Sequence, residues 1–330
     1  MSDEYNRSIV NEIFINPASE CDTLTIVTHK ATPSMASWLL KTYEEKGISD
    51  LSIELIISFP KRDSEDMFEP IILQNNHEGF KELHKRFQDS QNVFSCSYYC
   101  GREYCSDNLY IWKRRGTVFL CFKTNCEFTQ QNILNNKAAF VKVEDIDAVD
   151  NICSMVSGES IYCVHPEAED YVIIRQKEEK GISEECYNQN NFVTLPLITK
   201  KTGEPGQRSG LNWGQRMGRN PNEAYIPLPK DIAQSGFFPL HRQHFLVITD
   251  DHVTLLLRVE QQGDKAITTP ASNALLGEYF RNRLNLKYGA YVSRADLDAY
   301  GRLDVTFYKI DEEQYYMDFS SPRKKNKDGR

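Results

Sequence analysis

Residues 206–229 read GQRSGLNWGQRMGRNPNEAYIPLP, and how this stretch can be built decides how the rest of the chain divides. Glycines stand at 206, 210, 214 and 218. An interior glycine costs a helix about 1 kcal/mol relative to alanine, and it leaves a strand without side chains to pack. A long loop is therefore expected, with a backbone free to follow another surface. Around Trp213 it gathers Gln207, Arg208, Asn212, Gln215, Arg216, Arg219, Asn220 and Asn222. Arginine can bind guanine edges bidentately, asparagine and glutamine can do the same for adenine, and arginine also binds phosphate. From Lys200 to Asn222 five basic residues (Lys200, Lys201, Arg208, Arg216, Arg219) face one acidic residue, Glu204, a local charge of +4. Nucleic acid is the expected partner, with a solvated surface loop as the plain alternative.

Outward from this loop the pattern is one of short strands and turns. FVTLPLIT (192–199), EAYIPLP (223–229), HFLVITDD (244–251), VTLLLRVEQ (253–261), DVTFYKID (304–311) and YYMDFS (315–320) read as strands. One helix is expected over NALLGEYFRNRLNL (273–286). The pattern fits a compact β-barrel-like domain with an inserted helix. A second polar stretch, QQGDKAITTPASN (261–273), is expected to leave the barrel as a further arm, and two such arms would clamp DNA. The tail SPRKKNKDGR (321–330) is expected to be disordered.

The first half has a different grammar. Leu24–Val27 and LSIELIISF (51–59) are apolar runs of buried strands. Between them ATPSMASWLLKTYEEKGI reads as a helix, with Pro33 in its first turn and Gly47 as a stop. HEGFKELHKRFQ (77–88) is amphipathic, and its His77 and His84 read as structural. VFSCSYY, NLYIWKR and TVFLCFK follow as strands, so an α/β domain with a mixed sheet is expected. The boundaries read as 1–182 for this domain, 183–191 for a linker, 192–320 for the second domain and 321–330 for the tail.

At 330 residues there is room for two ordinary domains. No apolar run reaches the roughly 18 residues of a membrane span, and the start MSDEYNRSIV lacks the order of a signal peptide, so a cytoplasmic protein is expected. Nine scattered cysteines argue against a disulfide framework. Cys96, Cys100 and Cys105 approach a metal spacing, yet no paired CxxC or partner histidine follows them. A net charge of −8 excludes bulk, nonspecific coating of nucleic acid but permits a few cations placed locally.

Longer blocks carry a family resemblance. SGLNWGQRMGRNPNEAYIPLP, FFPLHRQHFLVITDD, RVEQQGDKAITTPASNALLGEYFRNRL and YGRLDVTFYKIDEEQYYMDFS resemble the C-terminal half of the NgoFVII family of type II restriction endonucleases. IFINP, ATPSMASW, EKGIS, HEGFKELH and NVFSCSYYC resemble its N-terminal half. The resemblance implies an α/β nuclease domain of the phospholipase D type, a mixed sheet with helices, followed by a mainly-β DNA-recognition pseudobarrel similar to the B3 fold. It implies a first recognition arm at Arg208–Glu223 and a second at Gln261–Asn273. The side chains able to meet DNA are then Arg208, Asn212, Trp213, Gln215, Arg216, Arg219, Asn220, Asn222, Gln261, Gln262, Lys265 and Asn273. Glu223 could accept from a cytosine amino group or cap its own loop. The implied partners are double-stranded DNA, a second copy of the chain, and a separate helicase subunit; no cofactor or metal is implied.

Phospholipase D chemistry needs a His-x-Lys on a strand, which sends both side chains to one face. The histidine attacks phosphorus and the lysine neutralises the phosphoryl oxygens. In CSDNLYIWKRRGTVFLCFKTNCEFTQQN the resemblance places Ser106 at the histidine, Asn108 at the lysine and Glu127 at a downstream asparagine, unless Asn125 has taken that place. Ser106 has no evident base, Asn108 no charge, and Glu127 would repel phosphate. His29-Lys30 is an adjacent pair that alternation would send to opposite faces of a strand, and His165 lies among acidic residues. A metal site on Asp107 and Glu127 is conceivable. Two functions share this reading: a site-specific endonuclease, or a sequence-specific DNA-binding protein that keeps the nuclease fold as a dimer scaffold. A hydrolase or transferase acting on another phosphodiester meets the same missing histidine.

Overall fold

The computed structural model describes residues 7–59, 71–101, 107–135, 139–175, 185, 186, 189 and 191–321. Ser106, Cys105, the tail from 322 and most of the expected linker lie outside the described residues. The chain forms two compact units, Met1–Gln176 and Lys177–Arg330.

The first unit is built on a mixed sheet. Its strands are β1 (Thr23–Thr28), β2 (Ser52–Ile57), β4 (Val93–Tyr99), β5 (Asn108–Arg114), β6 (Thr117–Thr124), β7 (Val141–Lys142) and β8 (Ser160–Tyr162), ordered β7-β6-β5-β1-β2-β4-β8. β1, β2 and β4 run parallel, while β5 is antiparallel to β1 and β8 antiparallel to β4. A parallel centre covered on both faces needs continuous apolar runs, and Leu24, Ile26, Val27, Leu55 and Ile56 are buried accordingly. β3 (Ile71–Leu73) and β9 (Ile173–Arg175) pair apart from this sheet. The helix Pro33–Glu45 starts where expected: Thr32 is its N-cap, with a side-chain oxygen that accepts from Met35 N, and proline follows at the first turn. The helix Gln74–Phe87 buries His77 and His84; the His77 ring meets the Tyr98 hydroxyl at 2.8 Å, the structural role read from the sequence.

The second unit is mainly β. β10 (Phe192–Pro196), β11 (Ile226–Pro227), β12 (His244–Thr249), β13 (Thr254–Glu260), β14 (Ala266–Thr268), β15 (Asp304–Lys309) and β16 (Gln314–Asp318) run in the order β10-β15-β16-β12-β13-β14-β11. Only β12 and β16 pair in parallel, and the outer strands β10 and β11 approach each other so that the sheet nearly closes. Phe238, Phe245, Phe307 and Tyr315 pack ring against ring inside it. Three elements depart from expectation, the short helix Lys230–Gln234 among them. Ala266–Thr268 is a buried strand, because its apolar residues complete the sheet against β13 and β11, so the second polar stretch is shorter than 261–273. A helix not expected from the sequence, Arg294–Tyr300, begins at a capping box formed by Ser293 and Asp296.

Candidate functional site

The glycine-rich stretch is a pinned loop, which corrects the expectation of a freely adapting backbone. After the turn Gly210–Asn212, Gly214 N donates to Glu223 O (2.8 Å) and Glu223 N to Asn220 O (2.9 Å), closing the loop on itself. A Cβ on Gly214 would lie 2.3 Å from Asn220 O, so only glycine allows this closure. Beneath it Arg281, on the helix Asn273–Arg283, is 1 % exposed. Its guanidinium donates to the carbonyls of Ala290 (2.8 Å), Leu211 (3.2 Å), Gly277 (3.2 Å), Asn222 (3.3 Å) and Pro221 (3.4 Å). Burial pulls its pKa below the ordinary arginine value. Five carbonyl dipoles stand where a counter-ion would otherwise be needed.

The polar side chains of the loop divide into two groups. Asn212 is fully buried, donates through Nδ2 to Val292 O and accepts at Oδ1 from Val292 N, both at 2.8 Å. Asn222 is fully buried and accepts from Gly289 N at 3.0 Å. Neither can reach a base, so both leave the set of expected readers: their amides hold the arm to the following loop. Gln215 Nε2 donates to Pro221 O (3.2 Å) and Gly289 O (2.9 Å), so both of its donors are in use and adenine N7 could receive none. Asn220 Oδ1 accepts from Asn222 N (2.9 Å) and Tyr288 Oη (2.8 Å), which fills its acceptor positions and leaves a donor-only group in place of a bidentate adenine reader. Trp213 is a platform: the Arg219 guanidinium lies 4.2 Å over its ring and Tyr225 meets it edge-on. Glu223 accepts from Arg219 at 2.7 Å, so it braces its own loop.

Outside this framework stand Arg208 and Arg216, both exposed. Among the described residues Arg216 uses only Nε, on Arg208 O at 3.0 Å, which leaves its two terminal nitrogens to donate as a fork. Met217 at the tip is fully exposed. In the second stretch Gln261, Gln262 and Lys265 lie exposed in the turn between β13 and β14, and none of them makes a side-chain hydrogen bond among the described residues. Asn273 opens its helix, and its backbone oxygen accepts from Ala224 N, which ties the second stretch to the base of the first.

In the first unit the sheet edge at the end of β1 holds the remaining expected residues. Asn108 is 3 % exposed. Its Oδ1 accepts from Thr28 Oγ1 (2.7 Å) and His29 N (3.0 Å), and its Nδ2 donates to Thr124 O (3.4 Å). One carboxamide thus stitches β1, β5 and β6. A lysine has donors only and could accept neither hydrogen, so the role that Asn108 fills here is closed to a cation. Glu127 pairs with Lys30 Nζ at 3.7 Å, and the exposed Asn125 accepts from the Cys126 thiol. His29 and Lys30 lie beyond the end of β1, so strand alternation does not govern them; the His29 Nδ1 faces Ser58 O at 3.0 Å. Sequence reading missed that this pair shares an edge with Asn108 and Glu127. No group of three or more acidic, histidine or cysteine side chains able to hold a metal occurs among the described residues.

Residues 7–170 match the NgoFVII restriction endonuclease N-terminal PLD domain, and residues 186–311 match the NgoFVII C-terminal B3-like DNA-binding domain. No curated protein matches the chain. Among solved structures, NucT from Helicobacter pylori is similar at 11% identity over 47% of this chain and 91% of that chain, with a TM-score of 0.30. Polyphosphate kinase from Porphyromonas gingivalis is similar at 13% identity over 56% of this chain and 26% of that chain, with a TM-score of 0.27. Among the described residues no helix is long and apolar enough to cross a membrane.

Proposed function

The chain belongs to the NgoFVII restriction endonuclease family, and from that membership we propose that it binds a short specific sequence of double-stranded DNA while its N-terminal unit no longer performs phospholipase D-type hydrolysis. The observation that carries the second half is Asn108. Its carboxamide is buried and holds three strands, so Asn108 itself brings no cation to the developing phosphorane charge, and the nearby Lys30 is paired with Glu127. Glu127 adds a negative charge, which among the described residues Lys30 offsets. The first half is supported by the pinned arm, which presents Arg208 and Arg216 from a backbone already ordered, so little conformational entropy is lost on binding.

The N-terminal unit then serves as the scaffold of a homodimer that carries two recognition units, and a separate helicase subunit is the further partner that family membership suggests. The domain limits that go with this reading are 1–182, a linker at 183–191, and recognition by 192–320.

The test is a cleavage assay on mixed-sequence plasmid DNA with a chelator and again with magnesium, together with a mobility-shift lane from the same tubes. Shifted, uncut DNA in both is expected. Discrete fragments in chelator would overturn the loss of hydrolysis, and fragments with magnesium alone would place a metal-dependent nuclease in this chain. No shift at any salt concentration would remove the DNA-binding half.

A further inference from the structure

Immediately after the helix Asn273–Arg283 the chain runs NLKYGAY, 285–291, a segment that neither recognition arm includes. Tyr288 is 63 % and Tyr291 45 % exposed, and Lys287 is exposed beside them. With Met217 at the arm tip, these two tyrosines are three of the four exposed large hydrophobic residues in the second unit among the described residues, so exposed apolar surface is concentrated here. Exposed aromatic rings beside a lysine offer both stacking surface and charge, while the same unit buries Phe238, Phe245 and Phe307.

The segment cannot move independently of the arm. Gly289 O accepts from Gln215 Nε2 and Gly289 N donates to Asn222 Oδ1. Tyr288 Oη donates to Asn220 Oδ1, Ala290 O accepts from Arg281 Nε, and Val292 is bonded at both backbone atoms to Asn212. Gly289 has φ +69°, and a Cβ there would lie 2.9 Å from the Pro221 ring, so the two segments touch through backbone and a proline face. Whatever surface the arm meets, residues 285–291 arrive with it.

We propose that 285–291 is a third DNA-contacting element, in which Lys287 neutralises a phosphate and the Tyr288 and Tyr291 rings pack on the adjoining sugar-phosphate backbone. This rests on the DNA-binding reading. Sequence-independent contacts of this kind fix the register of a protein on the duplex while other side chains read bases. In this loop such a division fits the chemistry: Lys287 is a point charge, and the Tyr288 hydroxyl is already engaged in orienting Asn220.

The full chain, Lys287→Ala, the double variant Tyr288→Ala/Tyr291→Ala, and Arg208→Ala/Arg216→Ala would be titrated by fluorescence anisotropy against mixed-sequence 20-base-pair duplex DNA at several salt concentrations. Each lost phosphate contact should lower the slope of log affinity against log salt by about 0.9. Lys287→Ala should show that drop, with an affinity loss of roughly three- to tenfold at moderate salt. The tyrosine variant should lose affinity at an unchanged slope. If Arg208→Ala/Arg216→Ala weakens binding while the other two variants titrate like the parent, the third element is wrong and DNA binding stands. If the parent does not bind at all, the underlying reading fails instead. Melting curves for each variant separate lost contacts from lost folding.

Discussion

The sheet edge at Asn108 and the arm at 206–229 resolve the same problem in opposite ways. Both crowd polar side chains where backbone groups need partners. At the edge, the residue that we propose stands in the reactive position is itself the partner: Asn108 is buried and engaged by Thr28, His29 and Thr124. On the arm the work is divided. Arg281, Asn212 and Asn222 hold the backbone from inside, and Arg208 and Arg216 remain outside. A site stays available for a ligand when the groups that build it are different from the groups that act, and in this chain only the second unit keeps them apart.

Replacement of the keystone is the most severe way to break this contrast. Arg281→Met should remove about 3 kcal/mol or more of stability, because five carbonyls, three of them in buried bonds, lose one shared donor group. Urea denaturation of the full chain and loss of the DNA shift should report it together; an intact arm in this variant would show that the bracing is dispensable. Asn108→Lys comes next. A cation here should orphan the His29 amide and leave the Thr28 hydroxyl with Lys30 O as its acceptor, at about 1–3 kcal/mol, and should produce no cleavage. Cleavage regained with a normal melting curve would mean that the edge had kept its old geometry.

Arg216→Ala sharpens the comparison on the acting side. It should cost about 1–3 kcal/mol of binding to a sequence selected from randomised duplexes, and less on bulk DNA. Equal losses on both would make Arg216 a phosphate contact. The smallest effect is expected for Glu223→Gln, which breaks a partly exposed ion pair with Arg219 that is worth about 0.2–1 kcal/mol. A shift of the melting temperature by a degree or two with near-normal affinity fits a bracing role; a changed base preference would return Glu223 to the readers.

Local grammar was enough to read much of this. Apolar runs at 24–27 and 51–59 marked the central strands, Thr32 and Pro33 marked a helix start, and four glycines four residues apart ruled out regular structure for the arm. The helix Arg294–Tyr300 was legible too, through Ser293, Asp296 and Gly301, but seven residues carry too little periodicity to stand out. The strand Ala266–Thr268 was hidden because three apolar residues look the same in a loop and at a sheet edge until β13 and β11 supply the other half of the ladder.

By itself the sequence determined the two-unit organisation and the fold class of each half. Which arm side chains brace the loop and which stay exposed was decided by tertiary structure alone. Asn212, Asn220, Asn222 and Gln215 are chemically equal as letters, and each becomes a brace only because Val292, Tyr288, Gly289 or Pro221 is brought within hydrogen-bonding distance of it. Those partners come mainly from about 70 to 80 residues further along the chain. A hydrogen-bonding group has no assigned role until its partner is placed, and the long-range contacts of the fold do that placing.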